Sequence, residues 1–340
     1  MNIQNALAQL FNRNDLSQAD AKGVFLEVMS GSTTPGQIGA LLAALRVKGE
    51  TPEEVAGAAQ CMRELSVKVK VNVPNLVDTC GTGGSGAKLF NISTAAAFVA
   101  AAAGAKVAKH GNRKMSSASG SADLLEAAGV NINLAPAQIA QCITQVGVGF
   151  LFAQAHHSAM RYAAPIRQEL GTRTIMNVVG PLTNPAGAPN QVIGVFSESW
   201  QATVAEVARL LGARHVLVVH SNGLDEIGLE KSTRVVELKD GIIEEYQIEA
   251  RDFGLMPRGH DPLRTDSPEG SLQLVREALT QPDSLAADIV SLNAGAAIYA
   301  ASVATSLSNG VIMAQDAIAS GLANERLQEL TRISKLMGET

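Results

Sequence analysis

The stretch with the clearest potential for chemistry is CGTGGSGAKLFNIST, residues 80–94, in which four glycines fall within six positions. Glycine lets backbone N–H groups approach a bound anion closely. A helix that begins within NIST, residues 91–94, would add unpaired N–H donors and the positive end of its dipole. The pattern therefore predicts a loop and a helix start that hold an anion.

The charges around this loop indicate a polyphosphate. Residues 79–122 contain no Asp or Glu and five basic residues, so the segment carries a formal charge of +5 within a chain of net charge −5. A second candidate loop, KHGNRKMSSASGS at 109–121, lies in the same segment. Two nests of backbone donors with several basic side chains suit a polyphosphate better than a single carboxylate. The alternative is a turn-rich stretch whose hydroxyls only cap helices.

Two familiar nucleotide-binding patterns do not fit the glycine loop. Residues 81–86 match GxGxxG, but a dinucleotide site also needs an acidic residue about 20 positions later for the ribose. No such residue is present before Asp123. The P-loop pattern fails because Lys88 is displaced by one position and is followed by Leu89.

A second group with chemical potential is the carboxylate pair Asp225 and Glu226, which follows the strand-like run HVLVVH at 215–220. Neighbouring carboxylates beside a phosphate site are typical ligands of Mg²⁺, which retains waters and bridges phosphate oxygens. The alternative is an acidic pair on a solvated loop. The phosphate-like segment elsewhere in the chain favours the metal site.

The elements that must position these groups change character along the chain. Residues 1–67 read as helices, with starts at Thr34-Pro35 and Thr51-Pro52 that place Gln or Glu three residues after the capping hydroxyl. From residue 75 onward, helical segments alternate with short apolar runs, which predicts a mainly parallel sheet covered by helices. The apolar runs are 75–79, 106–109, 130–134, 148–153, 191–196 and 216–220. A hairpin is predicted at 234–249 around KDG.

The predicted fold class is therefore α/β, with a small helical N-terminal domain and a larger α/β domain built on a central, mainly parallel sheet. We expect the helical domain to span 1–67, joined by a helical segment near 160–185, and the α/β domain to span 75–340.

Bulk composition bounds the functional classes. The 340 residues are 46% apolar and 17% charged, as in an ordinary globular enzyme. An acidic balance argues against general binding of nucleic acid or of acidic membranes. Cys61, Cys80 and Cys142 are far apart and lack CxxC spacing, which fits a reducing cytoplasm. The first 15 residues have no signal-peptide pattern, and no apolar run reaches spanning length.

Several long motifs in order resemble the anthranilate phosphoribosyltransferase family. They are DTCGTGG, NIST, KHGNRKMSSASGSADLLEAAG, GTRTIMNVVGPLTNP and SNGLDE. The resemblance implies a nucleoside phosphorylase/phosphoribosyltransferase-like fold, with the active site in the cleft between the two domains. It also implies a homodimer formed through the helical domain, in which apolar residues such as Ile38 and Leu41 could serve either core or interface.

The reaction implied by the resemblance joins anthranilate to 5-phosphoribosyl 1-diphosphate (PRPP). Diphosphate leaves, and N-(5-phosphoribosyl)anthranilate forms, an early step toward tryptophan. Catalysis of this kind consists mostly of alignment and neutralisation of the departing diphosphate by Mg²⁺, with two ions expected, and by backbone donors. No residue is expected to act as a covalent nucleophile.

The resemblance also implies site residues, by motif position. Anthranilate would contact Gly81, Asn112 and Arg167, whose guanidinium suits a carboxylate. Magnesium would be held by Ser93, Asp225 and Glu226. The PRPP contacts implied by the resemblance are Gly81, Gly84, Ser85, Leu89, Asn91, Ile92, Ser93, Thr94, Lys109, His110, Gly111, Asn112, Arg113, Lys114, Met115, Ser116, Ser117 and Ser121.

Other readings stay open from the sequence. Ser85, Leu89, Ala118 and Met176 depart from the family's usual residues, which leaves a transferase with a different aromatic acceptor as an alternative. A pyrimidine nucleoside phosphorylase would lack the HGNR segment present at 110–113. A nucleic-acid-binding inert relative should show a basic surface and lose the acidic pair. Adjacent His156 and His157 lack metal-ligand spacing and are expected near a helix start.

Overall fold

The computed structural model describes residues 1–84, 86–113 and 119–338, and within them a seven-stranded sheet is surrounded by helices. The strands are β1 (Leu76–Gly81), β2 (Lys106–Gly111), β3 (Val148–Phe152), β4 (Asn190–Gly194), β5 (His215–His220), β6 (Thr233–Lys239) and β7 (Ile242–Ile248). The α-helices are α1 (Ile3–Phe11), α2 (Gln18–Ser30), α3 (Pro35–Lys48), α4 (Pro52–Leu65), α5 (Ile92–Ala102), α6 (Ser121–Ala127), α7 (Pro136–Gln145), α8 (Ala153–His156), α9 (Ala164–Leu170), α10 (Met176–Val179), α11 (Gln201–Leu210), α12 (Pro268–Thr280), α13 (Leu285–Ala300), α14 (Leu307–Ala319) and α15 (Leu322–Gly338).

The helix starts predicted in the N-terminal region are confirmed. Thr34 caps α3 and forms a reciprocal capping box with Gln37, and Thr51 does the same for α4 with Glu54. Each box satisfies two backbone donors at a helix end, and the proline at the first helical position has no N–H to leave unpaired. These local signals determine where the two helices begin.

The strand order is β3-β2-β1-β4-β5-β6-β7. Strands β1 to β5 run parallel, and β6 and β7 add an antiparallel hairpin at one edge, as predicted for 234–249. Strand β1 lies inside the sheet, with β2 and β3 on one side of it and β4 to β7 on the other. In open parallel sheets, ligands bind at the carboxyl ends of the strands where the order reverses. That position here is between β1 and β4.

The strand predicted at 130–134 is wrong. The segment is irregular, with Val130 and Ile132 buried against the core. Its Asn131 N–H donates to the Ser334 hydroxyl of α15 at 3.0 Å rather than to a neighbouring strand. The alternation of apolar residues therefore reflects packing against a helix, which the sequence pattern alone does not distinguish from a sheet edge.

Both faces of the sheet are buried, so its central strands are apolar throughout. In β5, Val216 and Val218 pack on one side, and Leu217 and Val219 on the other. The first side carries α1–α4 and α11, and the second carries α5 and α12–α15. Such continuous apolar strands are typical of parallel sheets covered on both faces.

Residues 153–183 pack with the N-terminal helices. Ile166 of α9 lies 3.7 Å from the place a Cβ would take on Gly39 of α3, and Ile175 and Val178 belong to the same buried cluster as α1–α4. We call α1–α4 together with residues 153–183 the helical layer. The division of the chain at 67 and 75 stays a prediction. Within the described residues, no helix is long and apolar enough to cross a membrane.

Candidate active site

The reversal point of the sheet is covered by the acidic pair. Gly81 at the end of β1 is the register partner of Gly194 at the end of β4. A Cβ on Gly194 would lie 1.7 Å from the Asp225 carbonyl oxygen, and a Cβ on Gly81 would lie 3.3 Å from Asp225 Oδ2. Gly194 is thus required for the Asp225 backbone to lie directly over the end of β4, and Gly81 leaves room for the Asp225 carboxylate at the end of β1.

The glycine loop leaves β1 in a conformation that favours glycine. Gly83, Gly84 and Gly86 have φ of 65°, 81° and 75°. A Cβ on Gly83 or Gly86 would meet no atom within 4 Å, so backbone conformation rather than space requires glycine there. Ser85 lies outside the described residues. Leu89 packs its side chain against the α/β core, and its backbone forms an isolated bridge with Arg264. The Leu89 side chain is therefore not available to a phosphate.

Helix α5 presents its N-terminus at the same edge. Asn91 is the N-cap, but its side chain is used elsewhere, donating to the Ser119 carbonyl at 3.1 Å and accepting from the Ser271 hydroxyl at 2.7 Å. Ile92 is buried, as is Thr94, whose hydroxyl has no hydrogen-bond partner among the described residues. A buried hydroxyl without a partner at a helix N-terminus fits an anion that would supply the missing acceptor.

Lys109 links the strand ends to this helix. Its side chain is buried, and its ammonium donates to the Thr79 carbonyl and lies 3.3 Å from Ser93 Oγ. Burial lowers the pKa of Lys109, while the nearby carboxylate of Asp78 opposes the shift. Burial also raises the pKa of Asp78, against the effects of Lys109, of an Asn184 amide at 2.8 Å and of the His110 N–H at 3.1 Å. Lys109 is therefore a buried amine held between the end of β1 and the first turn of α5.

The carboxylate pair, Asp225 and Glu226, lies close to Lys109 and Ser93. Burial and the charge of Asp225 raise the pKa of Glu226 to about 8, against the opposing effects of Lys109 and of the Ser93 N–H. Two crowded carboxylates with a hydroxyl nearby form an oxygen-rich donor set that fits a hard cation such as Mg²⁺. Within the described ranges, no group of three or more His, Cys, Asp or Glu side chains could hold a metal alone. A metal at this pair would complete its coordination with water or substrate oxygens.

The second phosphate-like loop leaves β2. A Cβ on Gly111 would lie 2.0 Å from Ser121 Oγ, so only glycine fits there, and Ser121 begins α6. The guanidinium of Arg113 pairs with Glu126 and Asp123 of α6 and lies over the Phe152 ring. The predicted contacts Lys114, Met115, Ser116 and Ser117 lie outside the described residues.

The predicted acceptor side combines a cation with neutral rings. Arg167 on α9 is half-buried, and within the part of the chain that the structure describes no hydrogen bond or ion pair engages its guanidinium. The rings of His110 and His157 are 5.2 Å apart and buried. Burial holds the pKa of His110 well below its usual value and lowers the pKa of His157 to about 4, so both rings are neutral at pH 7. Asn112 Oδ1 accepts from Gln154 at 3.3 Å.

The structure thus brings Gly81, Ser93, Lys109, Asp225 and Glu226 into one contact network, whereas no described hydrogen bond joins Arg167 to it.

Two residues in the site region were not predicted from the sequence. His157 is adjacent to His110 across the fold, and Arg173 donates to the Gly84 carbonyl of the glycine loop. His157 was expected only near a helix start, and it does lie between α8 and the 3₁₀ turn Ser158–Tyr162. No spacing rule marks either residue, because each meets its partner through tertiary packing.

The chain matches known families over most of its length. Residues 4–66 match the glycosyl transferase family, helical bundle domain, and residues 73–324 match the glycosyl transferase family, a/b domain. An anthranilate phosphoribosyltransferase of Hahella chejuensis is 55% identical over 344 aligned residues, covering 100% of this chain and 99% of that protein.

Solved structures agree with this similarity. The anthranilate phosphoribosyltransferase of Thermus thermophilus superposes with a TM-score of 0.92 at 43% identity, covering 97% of this chain and 99% of that one. The Saccharomyces cerevisiae enzyme in complex with PRPP and Mg superposes with a TM-score of 0.88 at 25% identity, covering 98% of both chains.

Proposed function

The chain belongs to the anthranilate phosphoribosyltransferase family, and we propose that it transfers the phosphoribosyl group of PRPP to the amine of anthranilate in tryptophan biosynthesis. The anthranilate nitrogen forms a bond to C1 of the ribose, the bond from C1 to the diphosphate oxygen breaks, and the amine loses a proton. The products are N-(5-phosphoribosyl)anthranilate and diphosphate. The observation that carries the proposal is the contact of Asp225 with both strand ends at the reversal point of the sheet, beside Lys109 and the glycine loop.

The roles of the chain's own residues follow from their chemistry. The glycine loop and the first turn of α5 would bind the diphosphate through backbone N–H groups, with the Thr94 hydroxyl as a further donor. Buried Lys109 supplies a fixed positive charge beside the diphosphate. Because these groups are held by the fold before substrate arrives, little reorganisation is needed as negative charge develops on the leaving group.

The acceptor side is proposed to orient anthranilate. The Arg167 guanidinium, which has no hydrogen bond or ion pair to the described residues, is suited to the anthranilate carboxylate. The neutral rings of His110 and His157 are suited to pack on the apolar ring of anthranilate. Asn112 lies beside Ser121 through a 3.4 Å hydrogen bond from the Ser121 hydroxyl to its carbonyl, so it can contact either substrate.

Magnesium is proposed at Asp225, Glu226 and Ser93, with two ions in the complete site. Bound Mg²⁺ would neutralise negative charge on the diphosphate. The residues fit this role because burial and the charge of Asp225 raise the pKa of Glu226, and a divalent cation would offset the repulsion between the two carboxylates.

The assembly and its location are also proposals. We expect a homodimer formed through the helical layer, where Phe11 and Val47 are 66% and 74% exposed although both are large and apolar. A cytoplasmic location fits the three cysteines, Cys61, Cys80 and Cys142, all of which are free and buried.

The deciding experiment follows anthranilate fluorescence in the purified protein with PRPP, with and without Mg²⁺. We expect a loss of fluorescence that requires both PRPP and the metal. Absence of any loss, in folded protein that still binds PRPP, would contradict anthranilate as the acceptor. Phosphate-dependent cleavage of a pyrimidine nucleoside in a parallel assay would instead support the phosphorylase reading.

A further inference from the structure

The glycine loop is held at its far end by the α/β domain. The Arg264 guanidinium donates to the Ala87 carbonyl at 2.6 Å, and the Thr265 N–H donates to the Lys88 carbonyl at 2.9 Å. At its near end, the Thr82 N–H donates to the Gly194 carbonyl at 2.8 Å. These contacts fix both ends of the loop and leave Gly84, at its apex, untouched.

The apex is instead held by the helical layer. Arg173 lies between α9 and α10, and its Nη2 donates to the Gly84 carbonyl. Its guanidinium carbon lies 4.0 Å from the centroid of the Phe196 ring, within the range of a cation–π contact. The Phe196 N–H in turn donates to Thr82 Oγ1 at 3.0 Å, so the residue whose ring contacts Arg173 is hydrogen-bonded to the glycine loop.

The backbone that follows Arg173 is buried and hydrogen-bonded, although the Arg173 side chain is exposed. The next two residues, Thr174 and Ile175, are 3% and 0% exposed, and the Thr174 N–H donates to Asn177 at 3.0 Å. The guanidinium can thus reach the loop from a fixed point in the helical layer.

The charge of Arg173 stands apart from the carboxylates of the described residues. Within the described ranges, no carboxylate lies within ion-pair distance of its guanidinium, whereas Arg113, Arg209 and Arg234 all pair with Glu. A guanidinium has five N–H donors, and the bond to Gly84 uses one of them.

We propose that Arg173 is a positioning residue of the diphosphate loop: it draws the Gly84 carbonyl toward the helical layer and away from the bound diphosphate. A carbonyl oxygen turned toward the diphosphate would repel it, and the unpaired cation adds favourable potential. The loop is then competent for PRPP only when the helical layer is in place beside it. This inference rests on the proposed function for the identity of the anion.

The test compares Arg173→Met with Arg173→Lys. Methionine keeps length and contact with Phe196 but removes both the charge and the donor, whereas lysine keeps the charge without the planar fork. Loss of a charge-assisted hydrogen bond predicts that Arg173→Met raises KM for PRPP about 10-fold, with KM for anthranilate nearly unchanged and a smaller effect of Arg173→Lys. Arg214→Met is the control, because Arg214 is exposed, lies 3.9 Å from the exposed Asp240 and directly precedes β5, at the strand ends opposite the glycine loop.

Two further readouts separate positioning from a structural role. The melting temperature without ligands should match the parent, because the exposed side chain contributes little to the core. The single tryptophan, Trp200, has its ring 6.5 Å from Phe196, so its fluorescence on titration with PRPP reports binding without any turnover. This titration tests the inference even if anthranilate is not the acceptor.

An apparent affinity for PRPP in Arg173→Met within about twofold of the parent, by both kinetics and Trp200 fluorescence, would overturn the inference. So would a lowered melting temperature with both KM values raised equally, since that result indicates a structural role.

Discussion

At the scale of single residues, the formal charge of the basic segment overstates the positive charge that the fold leaves at the site. Arg113 contributes to the basic segment, yet Glu126 and Asp123 of α6 already pair with it. Lys109 is buried, donates to a carbonyl, lies 3.3 Å from a hydroxyl and has the carboxylates of Asp78 and Glu226 nearby. The potential at the site therefore depends on a few buried groups more than on the total of +5.

The acidic pair gives the first prediction at this scale. We expect the double variant Asp225→Asn with Glu226→Gln to lower kcat about 100-fold or more, because removal of the metal ligands removes charge stabilisation of the leaving group. The steady-state rate at limiting Mg²⁺ measures this. Asp240→Asn is the control, because Asp240 is exposed in the turn between β6 and β7. An unchanged rate at limiting Mg²⁺, in a variant with the parent's circular dichroism spectrum, would exclude the metal role.

At the scale of elements, the two strand-end glycines determine where the acidic turn lies. Gly194 and Gly81 pair at the ends of β4 and β1, and the Asp225 backbone packs on both. Neither glycine has positive φ, so what they provide is room for a close approach. Gly194 thus gives the acidic turn the room for its close approach, and a side chain at Gly81 would crowd the Asp225 carboxylate.

Gly194→Ala should displace the Asp225 turn, because the new Cβ would lie 1.7 Å from the Asp225 carbonyl oxygen. A misplacement of about 1 Å can cost about 100-fold in rate, and we expect a loss of kcat of that order. Gly259→Ala is the control, since its Cβ would meet no atom within 4 Å.

If Gly194→Ala does not fold, Gly81→Ala provides the milder test, with contacts of 3.3 Å to Asp225 Oδ2 and to the Gly194 carbonyl. Parent-like activity in a folded Gly194→Ala variant would show that kcat does not depend on the exact position of the Asp225 turn.

Sequence patterns predicted the elements well where the cause is local. The capping boxes at Thr34 and Thr51 and the hairpin around KDG depend on neighbours within a few residues. The failure at 130–134 and the omission of Arg173 and His157 have another cause, since partners such as Ser334, Gly84 and His110 are 47 to 203 residues distant. The resemblance supplied the site residues by motif, but only the fold shows which of them touch.

At the scale of the whole molecule, the helical layer has two kinds of exposed surface. One side holds the glycine loop through Arg173. Elsewhere, Phe11 at the end of α1 and Val47 near the end of α3 expose large apolar side chains, and α1 and α3 pack against each other. Apolar side chains exposed on neighbouring helices suit association with a second copy better than contact with water.

We predict that Phe11→Ser with Val47→Ser converts the proposed dimer to a monomer, measured by sedimentation velocity at micromolar concentration. Burial of both side chains in an interface is worth several kcal/mol at about 25 cal/mol per Å², enough to change the dissociation constant by orders of magnitude. Ile242→Ser is the matched control, because Ile242 is 66% exposed but begins the edge strand β7, which is not part of the helical layer. A double variant that sediments as the parent does, or equal dissociation in Ile242→Ser, would place the dimer contact elsewhere.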